Sequence, residues 1–181
     1  MHPRTEELLH YLDTQRAVLR AAVESVPVDR REVPPEPGRW SVAGILEHLS
    51  RVEISLARLF TFRLTEAQAR GLGLETETTP ILATLGMEVL QDRTRRVVAS
   101  EAAQPQALLD ADTAWAALEA AGAAFREAFL AGDGLALGEV VHPHSALGPF
   151  TLYHWAAFVG AHEARHAAQI REIAAALAGV T

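Results

Sequence analysis

Five residues toward the C-terminal end, His162-Glu163-Ala164-Arg165-His166, set two imidazoles four positions apart. On a helix that spacing is about 40° and one turn, so both rings can reach one metal ion. A third imidazole, His48, stands far earlier on another apolar stripe. Three neutral imidazoles hold a divalent transition metal and leave a coordination position open to water or substrate, as catalytic sites do. Spacing alone is weak evidence, because a histidine on an apolar face is more often a hydrogen-bonded core residue. Here His162 and His166 fall in the middle of their stripe, where two imidazoles with nothing to receive their nitrogens would cost about a few kcal/mol.

The run also reads H-E-x-x-H, the zinc-protease pattern in which the glutamate activates water. A metzincin would continue with Gly at position 169 and His at 172, but Gln169 and Glu172 stand there,. Little chain follows for a third ligand on a later helix, and no strand-rich region offers an edge to a peptide, so a metalloprotease is the weaker reading. Glu163 lies about 100° round from His162. It is a candidate for water activation, with a solvated surface or an arginine partner as the alternative. Arg51 and Arg165 are candidates to meet an acidic substrate group at the pocket mouth, against a surface position for each. Glu47 and Glu53 read as surface or ion-pair residues, and His2 and His10 as exposed. His142, His144 and His154 read as loop or helix-entry residues with ordinary hydrogen bonds.

Helices must position these groups. Apolar residues from Leu8 to Val23 recur at helical spacing, predicting a first helix over about 5–24,. A connection over 26–39 carries Pro27, Pro34, Pro35 and Pro37 and cannot continue it,. Ser41 then offers an N-cap oxygen to a second helix, about 42–70, ended by Gly71. Ile45, Leu49, Val52, Leu56 and Leu59 share one face of it, with His48 at the edge. Residues 72–110 form a long connection with a possible short helix after Thr79-Pro80, long enough for the third helix to run parallel to the second. That third helix spans about 112–130. A Gly/Pro-punctuated loop follows, and Thr151 caps a fourth helix running to about 178. The fold class expected is all-α: a four-helix bundle with a long crossover between helices two and three, one domain over 1–181.

Composition narrows the functions. The 181 residues carry a formal net charge of −7, which argues against nucleic acid as a partner. The densest basic segment, Arg93-Thr94-Arg95-Arg96, reads as a solvated connection. Cysteine is absent and so is lysine, which excludes disulfides, thiolate ligands, a cysteine nucleophile and lysine Schiff-base chemistry. No signal-peptide core or membrane-length apolar run occurs, so a cytoplasmic protein with no membrane partner is expected.

Three segments carry a resemblance: Arg39-Trp40-Ser41 leading to His48-Leu49, His142-Pro143-His144 through Gly148-Pro149, and Gly160-Ala161-His162 through His166 to Gln169-Ile170. As a set they resemble the DinB-like superfamily of metalloenzymes, over almost the whole chain. The resemblance implies metal ligands at His48, His162 and His166, a four-helix bundle that is often a homodimer, and zinc, nickel or another divalent ion. It further implies a small-molecule substrate and either a thiol S-transferase using a low-molecular-weight thiol such as bacillithiol or mycothiol, or a related metal-dependent hydrolase. The alternative is a non-enzymatic metal- or ligand-binding helical dimer.

Overall fold

The computed structural model describes residues 1–91, 99–106, 109–145 and 147–178. The basic segment Arg93–Arg96 lies outside the described residues. Helix α1 spans Pro3–Glu24, α2 Val42–Ala69, α3 Glu88–Gln91, α4 Ala111–Leu130 and α5 Leu152–Ala178. The four long helices make the bundle expected from the apolar spacing, and α3 is a single turn within the crossover.

Local chemistry sets the helix ends. The first helix starts two residues earlier than its apolar pattern suggests, because Pro3 suits the first turn and the His2 ring accepts from the Arg4 amide at 3.3 Å,. Ser41 Oγ accepts from the Gly44 amide at 3.1 Å. At the other end of α2, Gly71 takes a left-handed φ of 84°. The amides of Gly71 and Leu72 return to Gln68 O and Ala67 O, each at 3.0 Å, closing a Schellman turn,. Asp110 caps α4 through Thr113, with the amide bond at 2.8 Å. Thr151 Oγ1 accepts from the His154 amide at 3.3 Å at the start of α5.

Two apolar clusters form the core. One joins Leu8 and Leu9 of α1, Leu56, Phe60 and Leu64 of α2, Phe125 and Phe129 of α4, and Leu152 to Ala161 of α5. The other joins Leu19 and Val23, Ile45 to Leu49, Ala114 and Leu118, and Ala167 to Ile173. Early residues of α2 meet early residues of α4, and late meet late, so these two helices run parallel. The same matching makes α1 and α5 parallel. The long crossover is what permits the first of these pairings.

Near the changeover between the clusters each helix carries a residue that belongs to neither. These are Arg16 on α1, Glu53 on α2, Gly122 on α4 and Glu163 on α5. They make a polar belt across the waist of the bundle.

One element departs from expectation. Within the loop before α5, strands β1 (Val141–His144) and β2 (Gly148–Thr151) pair antiparallel, His142 opposite Phe150. Gly148 turns the chain with φ 88°, and Trp155 Nε1 donates to His142 O at 3.0 Å, fastening the hairpin to α5.

Candidate metal centre

The N-cap at Ser41 fixes the phase of α2 so that His48 faces α5 across the narrow seam between the two helices. Its ring is buried, with Trp40 packed on it at a centroid distance of 4.8 Å. From α5, His162 and His166 project one turn apart. His48 Nε2 lies 3.2 Å from His162 Nε2, and His162 Nε2 lies 3.1 Å from His166 Nε2. Among the described residues these three form the group whose donor atoms converge closely enough to hold a metal ion.

The outer ring nitrogens explain why the inner ones converge. Ala103 O can only accept, so His48 Nδ1, 2.7 Å away, carries a hydrogen and donates to it. His166 Nδ1 donates to Gln169 Oε1 at 2.9 Å. In their neutral forms both rings therefore present an Nε2 lone pair toward His162 Nε2. His162 Nε2 has at most one hydrogen, so at most one of the two contacts is a hydrogen bond. A divalent cation satisfies all three lone pairs, and ligand bonds of about 2.0–2.1 Å would place nitrogens about 3.0–3.4 Å apart. The donor set fits a metal.

Electrostatics agree. Burial lowers the His48 pKa, against the opposing bond to Ala103. Burial, with His166 and His48 as neighbours, holds His162 well below the ordinary histidine value. Neutral imidazole is the ligating form. Phe158 stacks on His162 at 5.3 Å, and His144 packs on Phe158 at 5.4 Å, so the hairpin forms an aromatic wall beside the site.

A family model described as the DinB superfamily matches residues 11–170. The chain belongs to the DinB superfamily. This is a metal-binding family, and the three-histidine group is compatible with that property. A similar curated protein is the uncharacterized protein YuaE of Bacillus subtilis (strain 168), 27% identical over 147 residues, covering 77% of this chain and 80% of that protein. A solved structure described as TT2238, a four-helix bundle protein, superposes with a TM-score of 0.56 at 19% identity. It covers 93% of this chain and 98% of the other, and supports the fold.

Other residues of this DinB-superfamily chain lie elsewhere. Glu163, read as a candidate for water activation, turns away from the triad into the waist, where its Oε1 accepts from Arg16 Nε at 2.8 Å. The 100° offset from His162 is the reason. Arg51 donates through Nε to Ala102 O at 3.0 Å, and Arg165 through Nη1 to Leu90 O at 3.0 Å. Both arginines thus bind backbone of the crossover. Glu47 accepts from the Gln106 amide at 2.7 Å and is buried, not on the surface, while Arg51 Nη1 at 4.0 Å from its Oε1 supplies the ion pair that was the other expectation. His142 meets Arg63 at 2.9 Å, and His154 meets Thr151 at 2.7 Å.

Sequence reasoning quoted Gln169 and Trp40 without giving either a task. Gln169, three residues after His166, had a readable signal in its i, i+3 spacing. The carbonyl of Ala103 had none, since any residue supplies one.

Proposed function

We propose that this DinB-superfamily chain is a divalent-metal-dependent enzyme acting on a small molecule, with His48, His162 and His166 as ligands through Nε2. The carrying observation is the convergence of those three nitrogens, two of them oriented by partners on their far sides, with no fourth protein ligand among the described residues. Three ligands from the protein leave a position for a reactant, as in catalytic sites.

A bound zinc or nickel ion would supply Lewis acidity, lowering the pKa of a thiol or water in the open position. The rest is the work of the chain. Ala103 O and Gln169 fix which nitrogen of each ring carries the hydrogen. Trp40 and Phe158 cover the imidazole faces and exclude water. The absence of cysteine means that any sulfur nucleophile would arrive with a cofactor such as bacillithiol or mycothiol, which permits thiol S-transfer and equally leaves the related hydrolysis open. Glu163 belongs to the ion network of the waist and is not assigned to water activation. Arg51 and Arg165 hold the crossover against α2 and α5, and so shape the pocket mouth. A homodimer is part of the proposal, with light scattering as its check.

The test is elemental analysis of untagged protein and of His48→Ala after dialysis and reloading with zinc or nickel. Near-stoichiometric metal in the parent and marked loss in the variant are expected, followed by thiol-transfer and hydrolase assays on the loaded parent. Equal binding by both would sink the site.

A further inference from the structure

Three side chains of α2 hold the same short piece of the crossover. His48 lies about 100° and Arg51 about 40° round the helix from Glu47, so the three share one side of it. Arg51 Nε donates to Ala102 O at 3.0 Å, His48 Nδ1 donates to Ala103 O at 2.7 Å, and Glu47 Oε1 accepts from the Gln106 amide at 2.7 Å. Arg51 Nη1 stands 4.0 Å from Glu47 Oε1, so the two supports that flank the histidine also meet each other. Pro105 rests at Gly44, where a Cβ would lie 3.7 Å from its ring.

The segment holds together as one piece. Residues Glu101–Ala103 form a tight turn in which the amides of Ala103 and Gln104 return to Ser100 O at 2.9 and 3.1 Å. Gln104 Nε2 donates to Ala99 O at 3.2 Å and Gln106 Nε2 to Glu101 O at 3.3 Å. The carbonyls of Ala102 and Ala103, at the end of the turn, take their donors from α2,. Glu101, Ala102, Gln104 and Gln106 are exposed, so the segment has the solvent on its outer side and lifts without opening the core.

One of its three supports is a metal ligand. His48 holds Ala103 through the ring nitrogen that faces away from the triad. In a neutral imidazole the hydrogen sits on either nitrogen. On Nε2 it would point at His162 Nε2, 3.2 Å away, and Ala103 O would lose its donor. A metal at Nε2 leaves Nδ1 as the place for the hydrogen and strengthens that N–H as a donor by drawing electron density through the ring. By reciprocity, seating the segment favours the metal by the factor with which the metal favours seating.

We propose, resting on the metal reading of the triad, that residues 99–106 form a strap whose seating on α2 and whose neighbour, the occupied histidine centre, stabilise each other through the His48–Ala103 bond. Glu47 and Arg51 are positioning residues: they place the strap and act on the metal only through Ala103 O.

The experiment follows amide hydrogen exchange by NMR in the full chain freed of metal and in the same chain loaded with zinc chloride, with zinc content measured on each sample. The amides of Ala103, Gln104 and Gln106 should exchange about tenfold more slowly with zinc. The Glu139 amide, bonded to Ala136 O at 2.9 Å in a different turn, should not change. Zinc affinity, read by chelator competition, should fall about tenfold in Arg51→Ala and recover in Arg51→Lys, which restores a donor for Ala102 O. Gln106→Pro removes the amide that Glu47 accepts, at an exposed position. It should lower the affinity similarly and shrink the zinc-dependent slowing at Ala103 and Gln104, which covers the case in which Arg51→Ala disturbs α2. Equal slowing at Glu139, or unchanged zinc affinity in both variants, would overturn the proposal. A parent that takes up zinc while its strap amides exchange as before sinks the strap alone; a parent that takes up none sinks the histidine centre with it.

Discussion

Gln169 touches no reactant, yet its carbonyl oxygen decides which way the His166 ring presents its lone pair. Partners of this kind typically change metal affinity by about 10–100-fold. Gln169→Ala should therefore weaken zinc binding by about that factor, read by competition with a chromophoric chelator, while the helical circular dichroism stays unchanged. Unaltered affinity would remove Gln169 from the site. The same residues forecast a pH dependence for the metal-free protein. Burial holds His48 and His162 below the ordinary histidine value, so below about pH 6.5 the unfolded chain binds protons that the native chain refuses. Stability from these rings is present above that value and is lost as pH falls through it. Glu53 has the opposite sign, because burial and then Glu163 raise its pKa, so the native chain keeps a proton that the unfolded chain releases. The urea midpoint should drop between about pH 7.5 and 5.5, and the drop should shrink in His162→Leu. A midpoint that rises on acidification would show that the glutamate outweighs the histidines. The three-histidine group was legible in the sequence because His162 and His166 sit at the centre of an apolar stripe and His48 at the edge of another. Glu53 was misread in part: its phase, about 20° from Phe60, lies on the buried arc, but its residue type suggests a surface or a simple ion pair. Only its distant partner, Arg16, explains the burial.

Between α1 and α5 the packing depends on one missing methyl group. A Cβ on Gly160 would stand 2.5 Å from Tyr11 Cε1 and 2.9 Å from Cδ1, so the tyrosine ring occupies the space that any other residue would need. Alanine normally gains about 1 kcal/mol over glycine within a helix, while overpacking costs about 1–3 kcal/mol. Gly160→Ala should thus be net destabilising in a thermal melt, and Gly160→Ala with Tyr11→Leu should recover much of the loss. A stabilised single variant would contradict this packing. Helices of this kind were readable from caps and stripes, as at Ser41, Gly71 and Thr151, whereas the Asp110 cap was found only in the structure. The hairpin was not, because Pro143 and Pro149 mark a loop by composition. Its strands exist through their mutual pairing and the Trp155 bond to His142 O.

Across the whole molecule the polar belt divides the core in two. Phe60 packs edge-on against Phe125 at 5.8 Å within one cluster, whereas Leu118 belongs to the other. Substitutions separated in this way usually add to within about 0.3–0.5 kcal/mol. Phe60→Leu with Leu118→Ala should be additive in urea denaturation, and Phe60→Leu with Phe125→Leu should not be. Strong coupling across the belt would mean that the two clusters melt as one body through it. The crossover was expected from its length alone. What length could not convey is that its 99–106 stretch is tied down at Ala102, Ala103 and Gln106, because backbone groups carry no residue signature. Of the three tryptophans, Trp115 lies under Arg20 at 4.7 Å and Trp155 lies in the hairpin wall, while Trp40 rests on the His48 ring. The chain therefore carries its own optical gauge: an open-shell ion such as nickel arriving at the triad should quench the emission of Trp40, and closed-shell zinc should leave it bright.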